Sequence, residues 1–237
     1  MPIAENIALI RERITNAARR AGRDSRDISL MAVTKTIDVA RIRDAYEAGI
    51  RLFGENKVQE FQEKSHALRA LPDFRCHMIG HLQGNKVRNA VDLFDGIDSV
   101  DSLRLARKLS SAAQELGKVL PVLIEINIGN ETSKSGFRAG SAELEELLQS
   151  APNLALSIGG LMAVPPFADD PEASRPYFRK LREMLEEVKA RRLPGIDMQV
   201  LSMGMSHDFE VAIAEGATCV RVGSAIFGER PRKADHP

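Results

Sequence analysis

Short apolar runs alternate with amphipathic stretches along the whole chain. The runs fall at 28–33, 50–54, 75–79, 96–100, 120–127, 156–162, 197–202 and 218–222. Continuous apolar character bounded by polar residues is the pattern of parallel strands buried on both faces. Between them, stretches at 38–48, 56–69, 84–92, 102–116, 142–150, 172–192 and 207–215 carry apolar residues at helical spacing. Ahead of the first run, Ile3, Ile7, Ile10, Ile14 and Ala17 keep that spacing and predict one more helix. Eight strands with helical crossovers predict an α/β fold, a (β/α)8 TIM barrel with an extra N-terminal helix. A doubly wound open sheet is the alternative, but no Gly-rich loop follows the first strand. No linker rich in Gly, Ser or Pro divides the chain. Residues 1–230 are therefore expected to form one domain, and 231–237 a polar, frayed tail.

Composition narrows the classes of function. Lys plus Arg equals Asp plus Glu at 33 each, so no global field draws nucleic acid or an anionic membrane. Trp is absent and Tyr numbers 2, which leaves little material for stacking on bases. Cys76 and Cys219 both lie in apolar runs and read as buried thiols of a reduced compartment. Glu5, Arg11, Glu12 and Arg13 interrupt the N-terminal stretch, so it has no signal h-region. No run approaches the roughly 18 apolar residues of a membrane span. The expected location is the cytoplasm, and an isolated barrel of zero net charge is compatible with a monomer.

Barrel chemistry collects at the carboxyl ends of the strands. Lys35 closes the first run, Ile28 to Val33 followed by Thr34. Burial there lowers a lysine pKa towards the range where the amine is nucleophilic, although the segment alone favours a lysine that snorkels to solvent. After the second strand, Asn56 suits a helix N-cap better than a ligand donor. After the third, His77 and His81 are four apart, but Gly80 breaks a helical metal geometry and no third ligand is evident. His81 reads better as a neighbour of a ligand ring or phosphate. Lys134 follows the fifth strand in a polar loop and reads first as solvated.

The ends of strands seven and eight are richest. Ser202-Met203-Gly204-Met205-Ser206 and Gly223-Ser224 offer backbone amides and hydroxyls, as a phosphate nest requires. Ser206 is equally a helix cap. Arg221, between Val220 and Val222, alternates into the barrel interior and must find an acceptor, either Glu125 or a ligand. An amine, a phosphate cradle and an inward arginine together suit pyridoxal 5′-phosphate (PLP): an aldehyde, a phosphate and a pyridine nitrogen.

Ala32-Val-Thr-Lys35, Phe53-Gly-Glu-Asn56, His77-Met-Ile-Gly80-His81-Leu-Gln83, Ser133-Lys-Ser-Gly136, Gly160-Leu-Met162, Leu201-Ser-Met-Gly-Met-Ser206 and Arg221-Val-Gly-Ser224-Ala-Ile-Phe-Gly228 occur in order from about residue 5 to 230. This set resembles the pyridoxal phosphate homeostasis protein family, a single-domain barrel similar to the N-terminal domain of alanine racemase (fold type III). The resemblance implies that Lys35 forms the Schiff base with PLP, with Asn56, His81 and Met203 at the cofactor. It also implies that Ser202, Ser206, Gly223 and Ser224 hold the phosphate and that Arg221 faces the pyridine nitrogen. Where the family usually has Gly-Thr this chain has Gly223-Ser224, which keeps the hydroxyl. The implied role is PLP storage, buffering or delivery to apo-PLP enzymes as transient partners, without catalysis. A small amino-acid racemase is the alternative. Against it, the racemase second domain with its catalytic tyrosine has no counterpart, and Tyr46 and Tyr177 fall in expected outer helices. A Schiff-base aldolase acting on a phosphorylated sugar would use the same lysine and cradle.

Overall fold

The computed structural model describes residues 2–132 and 134–228; the expected tail lies outside them. Eight strands form a closed barrel in chain order: β1 Ser29–Val33, β2 Leu52–Glu55, β3 Arg75–Met78, β4 Gly96–Val100, β5 Leu120–Glu125, β6 Leu156–Met162, β7 Ile196–Ser202 and β8 Cys219–Val222. All eight neighbour pairings are parallel, and β1 closes the ring against β8 with Met31 opposite Arg221. The TIM barrel is thus the observed fold.

Helices α1 Ile3–Arg20, α2 Val39–Glu47, α3 Val58–Leu68, α4 Val87–Leu93, α5 Leu103–Glu115, α6 Ala142–Ser150, α7 Arg175–Ala190 and α8 Phe209–Ala214 surround it, and α9 Ser224–Phe227 follows β8. Asp38, Ser102 and Ser141 accept from the amides of Arg41, Leu105 and Leu144 and start α2, α5 and α6. The stretch expected as a helix from 172 divides: Pro171–Ser174 is a 3-10 turn, and α7 begins just ahead of Pro176, where a missing N–H costs nothing. β5 stops two residues short of expectation, because Ile126 leaves the strand to bridge Phe137.

Two shells of packing follow from the alternation of side chains. Val220 and Val222 are completely buried against the helices, while Arg221 between them turns inward, as its spacing predicts. α1 lays Ile7, Ile10 and Ile14 over the neighbouring helices, each burial contributing roughly 1.5–3 kcal/mol. Asn6 Nδ2 donates to Ile226 O at 2.8 Å, so the first helix ties down the last. Cys76 and Cys219 are both buried. Burial pushes both thiols up, that of Cys219 to about 12, which leaves them inert as nucleophiles.

Candidate functional site

Closure of β1 on β8 brings the first candidate residue to the last. A pocket of about 330 Å³ opens at the carboxyl ends of the strands, and Lys35, Lys134, Ser206, Arg221, Gly223 and Ser224 share its wall. Gly223 continues the β8 ladder beside Val33; a Cβ on it would lie 3.4 Å from that of Val33.

The backbone around Lys35 is pinned on both sides. Thr34 N donates to Gly54 O at 2.9 Å, and Thr34 Oγ1 donates to Glu55 Oε1 at 2.8 Å. Lys64, one turn along α3 from Glu60, donates to Thr34 O (3.0 Å), Glu55 Oε1 (2.9 Å) and Glu60 Oε1 (2.7 Å). On the other side of Lys35, Thr36 adopts a left-handed φ of 65°, rare for a β-branched residue, and its amide donates to Glu60 Oε1. A strained turn held from both flanks fixes where the Lys35 side chain starts. Burial pushes the fully enclosed Glu55 carboxyl up, against the pull of Lys64. Burial also works against the Lys64 charge, but its two carboxylates prevail and raise it.

Beside Lys35, β7 and β8 build a cradle. Ser206 Oγ accepts from the amides of Gly223 (3.3 Å) and Ala225 (3.4 Å), so a hydroxyl oxygen rests where an anionic oxygen would be welcome. Ser206 does not cap α8, which starts after Asp208, whose carboxylate instead accepts from Met205 N at 2.7 Å and Ser174 Oγ at 3.1 Å. Gly204 has φ 89°, and a Cβ there would lie 2.5 Å from that of Ala212, so only glycine lets the β7 loop turn this closely.

Arg221 is buried and lines the pocket. Its Nη1 donates to Ser202 Oγ at 2.7 Å and its Nη2 to Ala163 O at 2.9 Å. Among the described residues its partners are therefore Ser202 and a carbonyl, rather than a hydrogen bond to Glu125. Two of its five N–H groups are spent in this way. Glu125 still feels its charge: burial first, then Asp101, raises that carboxyl to about 7 against Arg221 and His81. Ser202 lies fully buried against Arg221, and Met203 fully buried in the hydrophobic core; neither lines the pocket.

Asn56 does not cap α3, which starts after Lys57 without a side-chain cap. The His81 side chain is 60% exposed, with Nδ1 at 2.8 Å from Asp101 Oδ2 and 3.2 Å from Ser135 Oγ. Neither residue is among those lining the pocket. His77 turns inward to Asp98 and serves the other end of the barrel. Lys134 departs from its expected solvated role: Nζ donates to Pro165 O at 3.2 Å and pairs with Glu131 at 2.5 Å, bridging two loops across the pocket. Ser133, in the same motif, lies outside the described residues. Sequence reasoning missed the Glu55–Glu60–Lys64 clamp and Asp208; the Glu60/Lys64 spacing of four was the one visible signal.

The donors fit PLP. An amine, hydroxyls with backbone amides, and a buried guanidinium with unspent N–H groups face one small pocket. Comparison with known proteins agrees. Residues 6–231 match the family described as alanine racemase, N-terminal domain. The pyridoxal phosphate homeostasis protein of Aquifex aeolicus is 43% identical over 231 residues, covering 97% of this chain and 99% of that one. That of Pseudomonas aeruginosa is 42% identical over 229 residues, covering 96% of each. The structure of PipY from Synechococcus elongatus with PLP bound superposes with a TM-score of 0.82 at 37% identity, covering 95% of this chain and 100% of that one. By sequence and fold, the chain belongs to the pyridoxal phosphate homeostasis protein family, built on the alanine racemase N-terminal barrel.

Proposed function

We propose that the protein holds PLP covalently through Lys35 and stores, buffers or delivers it to apo-PLP enzymes, without a reaction of its own. The observation that carries this reading is the meeting of Lys35 with the Ser206–Gly223–Ser224 cradle and Arg221 in one pocket. The bound cofactor supplies an aldehyde for the amine. Ser206, Ser224 and the Gly223 amide take its phosphate. Arg221 donates to the pyridine nitrogen, which keeps that nitrogen an acceptor and weakens the ring as an electron sink. Ser202 and the Ala163 carbonyl position the guanidinium, and Met203 packs in the hydrophobic core. Asn56 and His81, which do not line the pocket, enter this reading only through the family resemblance. PipY, described with PLP bound, and relatives named for PLP homeostasis support the assignment.

The tyrosines favour holding over turnover. Tyr46 donates its hydroxyl to Pro72 O at 2.7 Å on outer α2, and Tyr177 sits on outer α7. Neither lines the pocket where a racemase needs its second acid–base group. The reading takes the protein as a cytoplasmic monomer with one domain over 1–230 and a tail at 231–237; sedimentation and limited proteolysis test those parts. No helix among the described residues is long and apolar enough to cross a membrane.

The purified protein should be yellow, and borohydride should shift its visible band to shorter wavelength and fix the cofactor on the Lys35 peptide. Lys35→Ala should lose that adduct, and an apo-PLP enzyme should gain activity as the yellow band declines. A Lys35→Ala protein that keeps the adduct at full occupancy overturns the role of Lys35. Steady turnover of alanine or serine enantiomers by the purified wild type would restore the racemase reading.

A further inference from the structure

The opposite end of the barrel contains a cavity of about 540 Å³, larger than the pocket at the mouth and unused by the function above. Barrel interiors are normally filled by layers of bulky branched side chains. Here Ser29, Ser157, Gly159 and Thr218 face the lower end instead and leave it hollow. Gly96 lets the His77 ring lie where a Cβ would otherwise sit, within 2.9 Å of the ring. Met31, Leu52 and Leu123 supply an apolar wall. Deep inside, Asp98 is 2% exposed, and its Oδ1 lies 2.9 Å from His77 Nδ1. Among the described residues that is its only hydrogen bond, and Asp98 is one of the residues that line the cavity.

The sign of charge that suits this cavity follows from its own lining. Helices that return from the mouth end at this face, but Arg11 and Arg51 donate to the last carbonyls of α2, Arg69 and Lys118 to those of α4, and Arg23 to those of α8, which offsets their C-terminal charge. Asp98 within and Asp27 at the rim add two carboxylates. The nearest positive group is His77. Burial opposes its charge, and Asp98 with Asp95 overcome both burial and Arg75. A bound cation can take over that charge as the ring gives up its proton.

We propose that this cavity is a second binding site, for a small organic cation. Its ammonium or guanidinium head bonds to Asp98, and its carbon body lies on Met31, Leu52 and Leu123. Gly159 offers the decisive variant: a Cβ there meets nothing closer than Leu123 Cδ2 at 3.8 Å, so a leucine enters the cavity without displacing the backbone.

The test uses full-length protein with 15N-labelled histidine, titrated with ethylammonium, putrescine and methylguanidinium, and with propanol as the neutral control. Saturable shifts of the His77 ring nitrogens are expected with at least one cation and not with propanol. Gly159→Leu should abolish them, and Asp98→Asn should weaken binding by about tenfold or more, the loss of a charge-assisted hydrogen bond. The proposal is overturned if no cation gives a saturable shift or if propanol binds as well. Shifts that survive Gly159→Leu overturn it too, because they place the ligand elsewhere. The readout sits at His77, so it reports on this cavity whether or not Lys35 holds PLP.

Discussion

Glu125 shows what a single buried carboxyl does in this barrel. From its ordinary 4.5 it is raised to about 7, chiefly by burial and then by Asp101, with Arg221 and His81 pulling the other way. A group whose folded pKa is raised binds its proton more tightly in the fold than in the unfolded chain. Its contribution is therefore complete below about pH 4.5 and is lost as the pH climbs through about 7. At 1.36 kcal/mol per unit the loss comes to roughly 3 kcal/mol. Glu125→Gln mimics the neutral acid. The apo variant should match the wild type in urea midpoint near pH 5 and exceed it near pH 8. Equal slopes against pH for the two proteins would refute this account of Glu125.

Among elements, the join of α3 to the turn after β1 matters most to the site. Lys64 bridges Glu55 at the end of β2, Glu60 in α3 and the Thr34 carbonyl beside Lys35. Removing the lysine leaves Glu55, already holding one buried oxygen without a hydrogen bond, beside Glu60 with no cation. Breaking such a pair costs about 3–5 kcal/mol. Lys64→Met should lower unfolding stability by that order, and Glu55→Gln on top of it should recover a large part. Simple additivity of the two substitutions in denaturant unfolding would show that the groups are not coupled. This clamp also marks the limit of what the sequence reveals. The eight strands are legible because both faces of each are buried, which makes each run continuously apolar. Element ends are less so: Pro176 delays α7, Ile126 leaves β5 for Phe137, and α9 is four residues long, too short to display a period. Asn56 and Ser206 read as caps because one polar side chain near a helix start suits a cap and a site equally. That Lys35, Arg221, Gly223 and Ser224 come to one mouth was legible from strand-end position and alternation. Lys64 and Ser202 were not, since their roles depend on contacts between segments far apart in sequence.

The whole molecule is a ring, and the seam that closes it lies at the candidate site. Asn6 and Ile226, 220 residues apart, meet across α1 and α9, and β1 pairs with β8 at the same seam. Closing so long a loop carries the largest entropy cost of any pairing in the chain, so the seam is the natural place for partial opening. Lys35 lies just beyond one side of the seam, and Arg221, Gly223 and Ser224 lie on the other. A cofactor bound to both sides acts as a cross-link that binds the closed ring and not the open one, and it stabilises by mass action. Hydrogen exchange should therefore slow on PLP loading chiefly at Ser29–Val33, Cys219–Val222 and Ser224–Phe227. Gly96–Val100 and Leu120–Glu125, on the far wall, should change much less. Protection that rises evenly around the ring would mean the barrel opens only as a unit. In that case PLP release would depend on side-chain motion in the mouth alone, at Lys134 and the Pro165–Pro166 loop it bridges.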